Sequence, residues 1–336
     1  MKKAKEKVKN ALFFCAVVCY NEAVSVQRRI LWIETEDLRM KNPIIMHINY
    51  GEIAGGNFGK RSVEDICRFA SECGFDGIEF RGAIPKSLGE ISFREYAEQI
   101  GAAKKKYGLK EILFGIAVAK ASSKNAEERE ASIAEAIEKA KIAREVCESE
   151  VCNTMATWIS SPISTTPKPG YEFHGSAAAT DEEWSLTVDA FARICRELEK
   201  IDLRFAFETH MGYIHDLPAP AKKLADAIGS PMMGVNLDFG NAVYFPVHPT
   251  LEESIDLLGD KLFYTHMKNS VATPGSGLRL PTALAEGEIN HRLYFEKLRE
   301  VGFAGPIGIE APRPGDRYQF AKNDIAYVRS LIEDLK

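Results

Sequence analysis

Glu208, Asp238, His266 and Glu310 each close a short apolar run, in LRFAFE, MGVNLD, KLFYTH and GPIGIE. A carboxylate or an imidazole at the end of a buried segment costs desolvation energy unless a metal ion, a substrate or a partner charge meets it. Three acids and one base recurring at the same point of successive runs therefore suggest one polar site fed by several elements. The first run breaks into Glu208, Thr209 and His210. At that spacing the imidazole returns to the side of the carboxylate if the extended geometry persists. Together such groups can hold an oxygen or move a proton.

The four runs are too short for helices and read as strands buried on both faces. Each gap between them is long enough for a loop and a helix. From Pro43 onward the whole chain keeps this alternation, with strands expected at 44–49, 77–81, 112–118, 151–157, 203–208, 233–238, 262–266 and 306–310. Capped helices fall between them. Ser62 with Asp65 starts the first and Gly74 stops it, and the others span 92–108, 125–147, 181–200, 220–229, 250–259, 290–302 and 317–335. The alternation implies a parallel sheet with right-handed crossovers, and eight strands close it into a single (β/α)8 TIM barrel of the α/β class. Active sites of such barrels lie at the C-terminal ends of the strands. Helix-to-strand loops here are short, as at 74–76 and 302–305, whereas 50–61, 158–180, 239–249 and 268–289 are long. The loop 158–180, rich in Ser, Thr, Pro and Gly, reads as a lid or a subunit contact.

A chain of 336 residues with 45% hydrophobic side chains can fill one large barrel domain over 43–336. The net charge of −5, with no long basic block beyond the first ten residues, argues against a nucleic-acid partner. Seven cysteines without a CxxC pair suit a reduced, cytoplasmic protein. Residues 1–42 differ from the rest. Lys2 to Lys9 is basic and Ala11 to Tyr20 is apolar, which is either a weak signal-like segment or an over-long start before Met40. Ten apolar residues are too few to span a membrane.

FETHMG, VNLDFGN, THMKN and the closing GEINHRLYFEKLREVGFAGPIGIEAPRPGD, with GFDGIEFRG at the second strand, resemble the xylose-isomerase-like TIM-barrel superfamily, the sugar phosphate isomerase/epimerase group. The resemblance runs from Met40 to the C-terminus. It implies that Glu208, Asp238, His266 and Glu310 hold one divalent cation. An oxygen-rich set with one imidazole suits Mn²⁺ first, with Mg²⁺, Co²⁺ and Zn²⁺ also compatible. The activity implied is a metal-dependent sugar isomerase or epimerase, working by proton abstraction next to a carbonyl through a metal-stabilised enediolate. Glu208 and Glu310 would then be both ligands and the acid/base pair, with His210 as a base or hydroxyl binder.

Arg81, His47 and Lys268 are candidate substrate-binding residues, Arg313 is a further one, and Glu79 is expected to meet substrate oxygens or Arg81. His215 and Asp216 read as caps of the loop into the next helix, and His174, His248 and His291 as surface residues. Repair endonucleases of the superfamily carry a histidine three residues after the strand-six aspartate, where this chain has Asn241. Lys268–Asn269–Ser270 likewise lacks the second-metal carboxylates of true xylose isomerases. The alternatives are a lyase cleaving 3-oxo-C-glycosides, like the catalytic subunit of C-glycoside deglycosylases, and a non-enzymatic sugar-binding barrel. The partner implied is a sugar or glycoside, in a homo-oligomer, or in a hetero-oligomer with a small β-sandwich subunit for the lyase.

Overall fold

Eight parallel strands close on themselves in a computed structural model that describes residues 40–52, 57–161, 170–275, 278–311 and 313–335. They are β1 (Ile44–His47), β2 (Gly77–Arg81), β3 (Glu111–Ala117), β4 (Val151–Met155), β5 (Arg204–Glu208), β6 (Met233–Asp238), β7 (Leu262–Met267) and, after a hairpin of β8 (Asn269–Ala272) and β9 (Arg279–Thr282), β10 (Ile307–Ile309). The barrel order is β1-β10-β7-β6-β5-β4-β3-β2, and the expected (β/α)8 fold is what forms. The unit carrying it spans Asn42–Asp334. The reading of residues 1–39 as an extension or signal-like segment lies outside the described residues.

The helices are α1 (Val63–Cys73), α2 (Phe93–Tyr107), α3 (Ala126–Cys147), α4 (Asp181–Leu198), α5 (Pro218–Ile228), α6 (Phe239–Ala242), α7 (Leu251–Leu258), α8 (His291–Glu300) and α9 (Arg317–Asp334). Ser62 and Asp65 do form a reciprocal cap on α1, and Asn125 caps α3. Inside the barrel Ile45, Leu113, Val151, Ala206 and Tyr264 pack into one apolar cluster. This plug fills the lower barrel, so polar side chains on the same strands are left at the upper, C-terminal mouth. Register sets their level: Asp238 lies beside His266, and His266 beside Gly308.

Two elements were not expected. The loop 268–289 holds the β8–β9 hairpin, and α6 starts directly on Asp238. The hairpin escapes pattern reading because Val271, Leu278 and Leu280 point their apolar side chains to solvent, which removes the alternation a half-buried strand would show. Of the loop 158–180, residues 162–169 lie outside the described ones. Its described ends are pinned at the mouth, where Gly175 N donates to Ile159 O and Ser176 N to Asp216 Oδ2, each at 3.0 Å.

His215 and Asp216 therefore do not cap the next helix; they tie loops together. His215 Nδ1 donates to Glu208 O at 2.6 Å, and its Nε2 accepts from Ala156 N at 3.0 Å. His291 is also not a surface residue: it is buried and donates from Nδ1 to Leu284 O at 3.0 Å. His174 is half-buried and accepts from Ser161 N, while His248 is exposed as expected. The cysteines among the described residues are all free thiols, and no helix among these residues is long and apolar enough to cross a membrane.

Burial pushes the pKa values of His215 and His291 down to about 4, because the imidazolium would lose its water. A histidine whose folded pKa lies below its unfolded value of about 6.5 stabilises the fold in full above that value. That contribution, on the order of 3 kcal/mol for each, is lost as pH falls through 6.5 towards 4. Urea unfolding with chelator present should thus show stability dropping between pH 6.5 and 4.5, and dropping less in His291→Gln. Equal slopes for the two proteins would show that His291 is not buried in neutral form.

Candidate metal centre

Glu208, Asp238, His266 and Glu310 come together at the mouth, each offering one ligand atom, and these atoms all lie within 4.8 Å of one another. Three of the four are fully or almost fully buried, and Glu310 is 17% exposed by its side chain. His266 Nδ1 stands 3.2 Å from Glu310 Oε2 and 3.7 Å from both Glu208 Oε2 and Asp238 Oδ2. His266 Nδ1 is buried without a hydrogen-bond partner, and Asp238 Oδ2 and Glu310 Oε2 beside it meet one cation, the Lys268 ammonium. A buried imidazole nitrogen is normally satisfied, and three carboxylates around it carry more negative charge than one ammonium offsets, so the group is the arrangement a bound cation would complete. Oxygen donors with one imidazole suit a hard or borderline divalent ion.

The charges agree. Burial alone would lower the His266 pKa, yet Glu79 and the other acids around it hold it well above the ordinary value. Burial alone would raise the Glu208 and Glu310 pKa values. His266 for the first, and Lys268 and His47 for the second, hold both below the usual carboxylate range. A site with this much negative potential attracts positive charge.

Surrounding residues fix these side chains. Glu79 Oε2 accepts from His266 Nε2 at 2.7 Å and from the Tyr264 hydroxyl at 2.8 Å, while Glu79 Oε1 accepts from Asn153 Nδ2 at 3.1 Å. A carboxylate behind the imidazole sets its tautomer and leaves Nδ1 facing the other acids. Asn153 Nδ2 also donates to Glu208 Oε2 at 2.8 Å, and Asn241 Nδ2 donates to Glu208 Oε1 at 3.3 Å. Asn241 N donates to Asp238 Oδ1 at 3.1 Å.

The other candidates divide. Lys268 joins the centre, with Nζ 2.7 Å from Asp238 Oδ2 and 3.1 Å from Glu310 Oε2. His47 is buried with Nδ1 3.9 Å from Glu310 Oε1. His210 is half-buried, donates from Nδ1 to Met211 O at 3.0 Å and meets the Tyr213 ring edge-on. Arg81 does not pair with Glu79. It makes a two-pronged bond to Glu52 at 2.7 and 3.1 Å, because it stands past the buried part of β2 where Glu52 needs a counter-charge. Arg313 is drawn away from the centre to Asp324, at 2.9 and 3.1 Å.

Residues 67–331 match the family described as xylose isomerase-like TIM barrel. The chain belongs to this family. No curated protein sequence is significantly similar to this xylose isomerase-like barrel. Among solved structures it resembles a D-allulose 3-epimerase from Methylomonas sp. (14% identity, TM-score 0.65, covering 86% of this chain and 98% of that one). It also resembles a xylose isomerase-like TIM barrel protein from Mycobacterium smegmatis in complex with magnesium (18%, 0.64, 87% and 97%). A third is the 3-keto-D-glucoside 4-epimerase of E. coli (18%, 0.62, 86% and 100%).

Glu79 is the member of the centre whose part the sequence hid, and it carries a prediction. Glu79→Gln keeps the shape but weakens the hold on His266 Nε2, so affinity for Mn²⁺ should fall 10- to 100-fold. Calorimetric titration of the metal-stripped protein measures this. Wild-type affinity in the variant would mean that His266 needs no such support.

Proposed function

We propose that this protein is a divalent-metal-dependent sugar isomerase or epimerase that moves a proton on a carbon next to a carbonyl. The convergence of one ligand atom each from Glu208, Asp238, His266 and Glu310, all within 4.8 Å of one another at the barrel mouth, carries this reading. Two of the structurally similar proteins are sugar epimerases and a third holds magnesium, which supports the same class and a hard ion such as Mn²⁺ or Mg²⁺.

A divalent ion held there would polarise a carbonyl and a neighbouring hydroxyl, and so acidify the carbon–hydrogen bond between them. Glu208 and Glu310 are the residues placed to take and return the proton. Each offers one oxygen to the cluster and has a second, and both are held ionised at neutral pH, the state a base requires. Asn153 and Asn241 fix the rotamer of Glu208, so its basic oxygen is aimed rather than free. His210, two residues beyond Glu208, holds a substrate hydroxyl.

The test is solvent deuterium incorporation into a panel of ketoses and 3-oxo-glycosides, with Mn²⁺ present. Isotope appearing at the carbon next to a carbonyl supports the reading; none in any substrate, with metal bound, would sink it. In an isomerase His210→Ala loses only positioning and should cost 10- to 100-fold in kcat/KM. A lyase using His210 as its general base would lose 10²- to 10⁴-fold and would release an aglycone that disappears with the imidazole.

A further inference from the structure

Neither ligation nor proton transfer accounts for the place of Lys268. Its Nζ lies 2.7 Å from Asp238 Oδ2 and 3.1 Å from Glu310 Oε2, and donates to Asn241 Oδ1 at 3.2 Å. The first two are the oxygens that also face His266 Nδ1, at 3.7 and 3.2 Å. The stem is seated deliberately. A Cβ on Gly240 would fall 2.1 Å from Lys268 Cγ, so α6 admits this side chain only because residue 240 has none.

We propose that Lys268 shares Asp238 and Glu310 with the divalent ion and thereby sets how tightly the ion is held. This rests on the reading of the four-residue cluster as an ion site. Four buried or nearly buried carboxylates gather here: Glu79, Glu208, Asp238 and Glu310. Against a divalent ion alone, two negative charges remain in excess. Such an excess would grip the ion and repel the negative charge that builds up as a proton leaves carbon. The ammonium removes one of those charges, and at these separations, away from bulk water, its Coulomb effect on a neighbouring cation is large. Lysine suits the task better than arginine, because a compact point charge can share an oxygen that a guanidinium fork would capture in two-pronged fashion.

The experiment is calorimetric titration of Mn²⁺ into chelator-stripped wild type and Lys268→Met. The variant should bind Mn²⁺ at least about tenfold more tightly, and its metal-free form should melt lower while its loaded form melts near wild type. Should the stripped variant not fold, transfer of Mn²⁺ from the loaded protein to a fluorescent chelator reads the same affinity. Lys268→Arg keeps the charge and should stay much closer to wild type than the Met variant does. Equal or weaker affinity in Lys268→Met, or full tightening in Lys268→Arg, overturns the proposal. A wild type that binds no Mn²⁺ overturns the ion-site reading and this inference with it, which tells the two failures apart.

Discussion

Glu310→Gln and Asp238→Asn should each lose on the order of 10²- to 10³-fold or more of kcat/KM, and the purified wild type should carry about one divalent ion per chain. The size follows from the centre being a closed set. Asp238 is fully buried, and its Oδ1 already caps α6 through Asn241 N, so Oδ2 alone is left for the site. Removing its charge leaves His266 and Lys268 facing each other with less to separate them. In the proposed chemistry Glu310 both ligates and carries a proton, and Gln can do neither well. Exhaustive chelation should abolish turnover and Mn²⁺ should restore it. Metal-free protein with full activity would rule out the proposed chemistry, and normal turnover in Glu310→Gln with one ion still bound would remove Glu310 from the mechanism.

The ends of the strands were legible because a barrel reports itself twice in sequence, once in apolar runs and once in the polar residue that ends each run. Glu208, Asp238, His266 and Glu310 are such ends, and the structure gathers all four. Glu79 and Asn153 are different. They sit inside buried strands, in GIEFR and VCNTM, where they read as exceptions to a hydrophobic run. A charge flanked by Ile78 and Phe80 is a signal that something compensates it, but the partner lies across the barrel on β7. Only closure and register reveal that Tyr264 and His266 are within reach. Sequence spacing suggested Arg81 for that role, since the two are separated by one residue. Arg81 instead reaches Glu52, in a loop whose path no periodicity encodes. Lys268 reads in sequence as a candidate substrate-binding residue, whereas its contacts with Asp238 Oδ2 and Glu310 Oε2 were not legible. Those contacts depend on Gly240 being short of a side chain in a different element.

Gly308→Ala should cost about 1–3 kcal/mol of stability by overpacking and should weaken Mn²⁺ binding by at least about 10- to 100-fold. Gly308 stands next to His266 in register, and a Cβ there would come 2.2 Å from the Tyr264 hydroxyl oxygen and 2.8 Å from His266 Cδ2. Neither ring has room to retreat, since both are fully buried and both are bonded to the same Glu79 oxygen. The methyl group must therefore push the imidazole off the line that Glu79 sets. Gly302→Ala is the contrasting variant: its backbone is left-handed, with φ of 67°, but a Cβ there meets nothing within 4 Å. It should lose stability from backbone strain while binding Mn²⁺ as wild type does. Urea unfolding and calorimetry on both proteins separate the two effects. If Gly308→Ala binds the ion normally, the rings relax at little cost and the rigid Glu79–His266–Gly308 packing does not orient the ligand. If it loses the ion while Gly302→Ala keeps it, the barrel wall itself aims the histidine, through a glycine that touches no ligand atom.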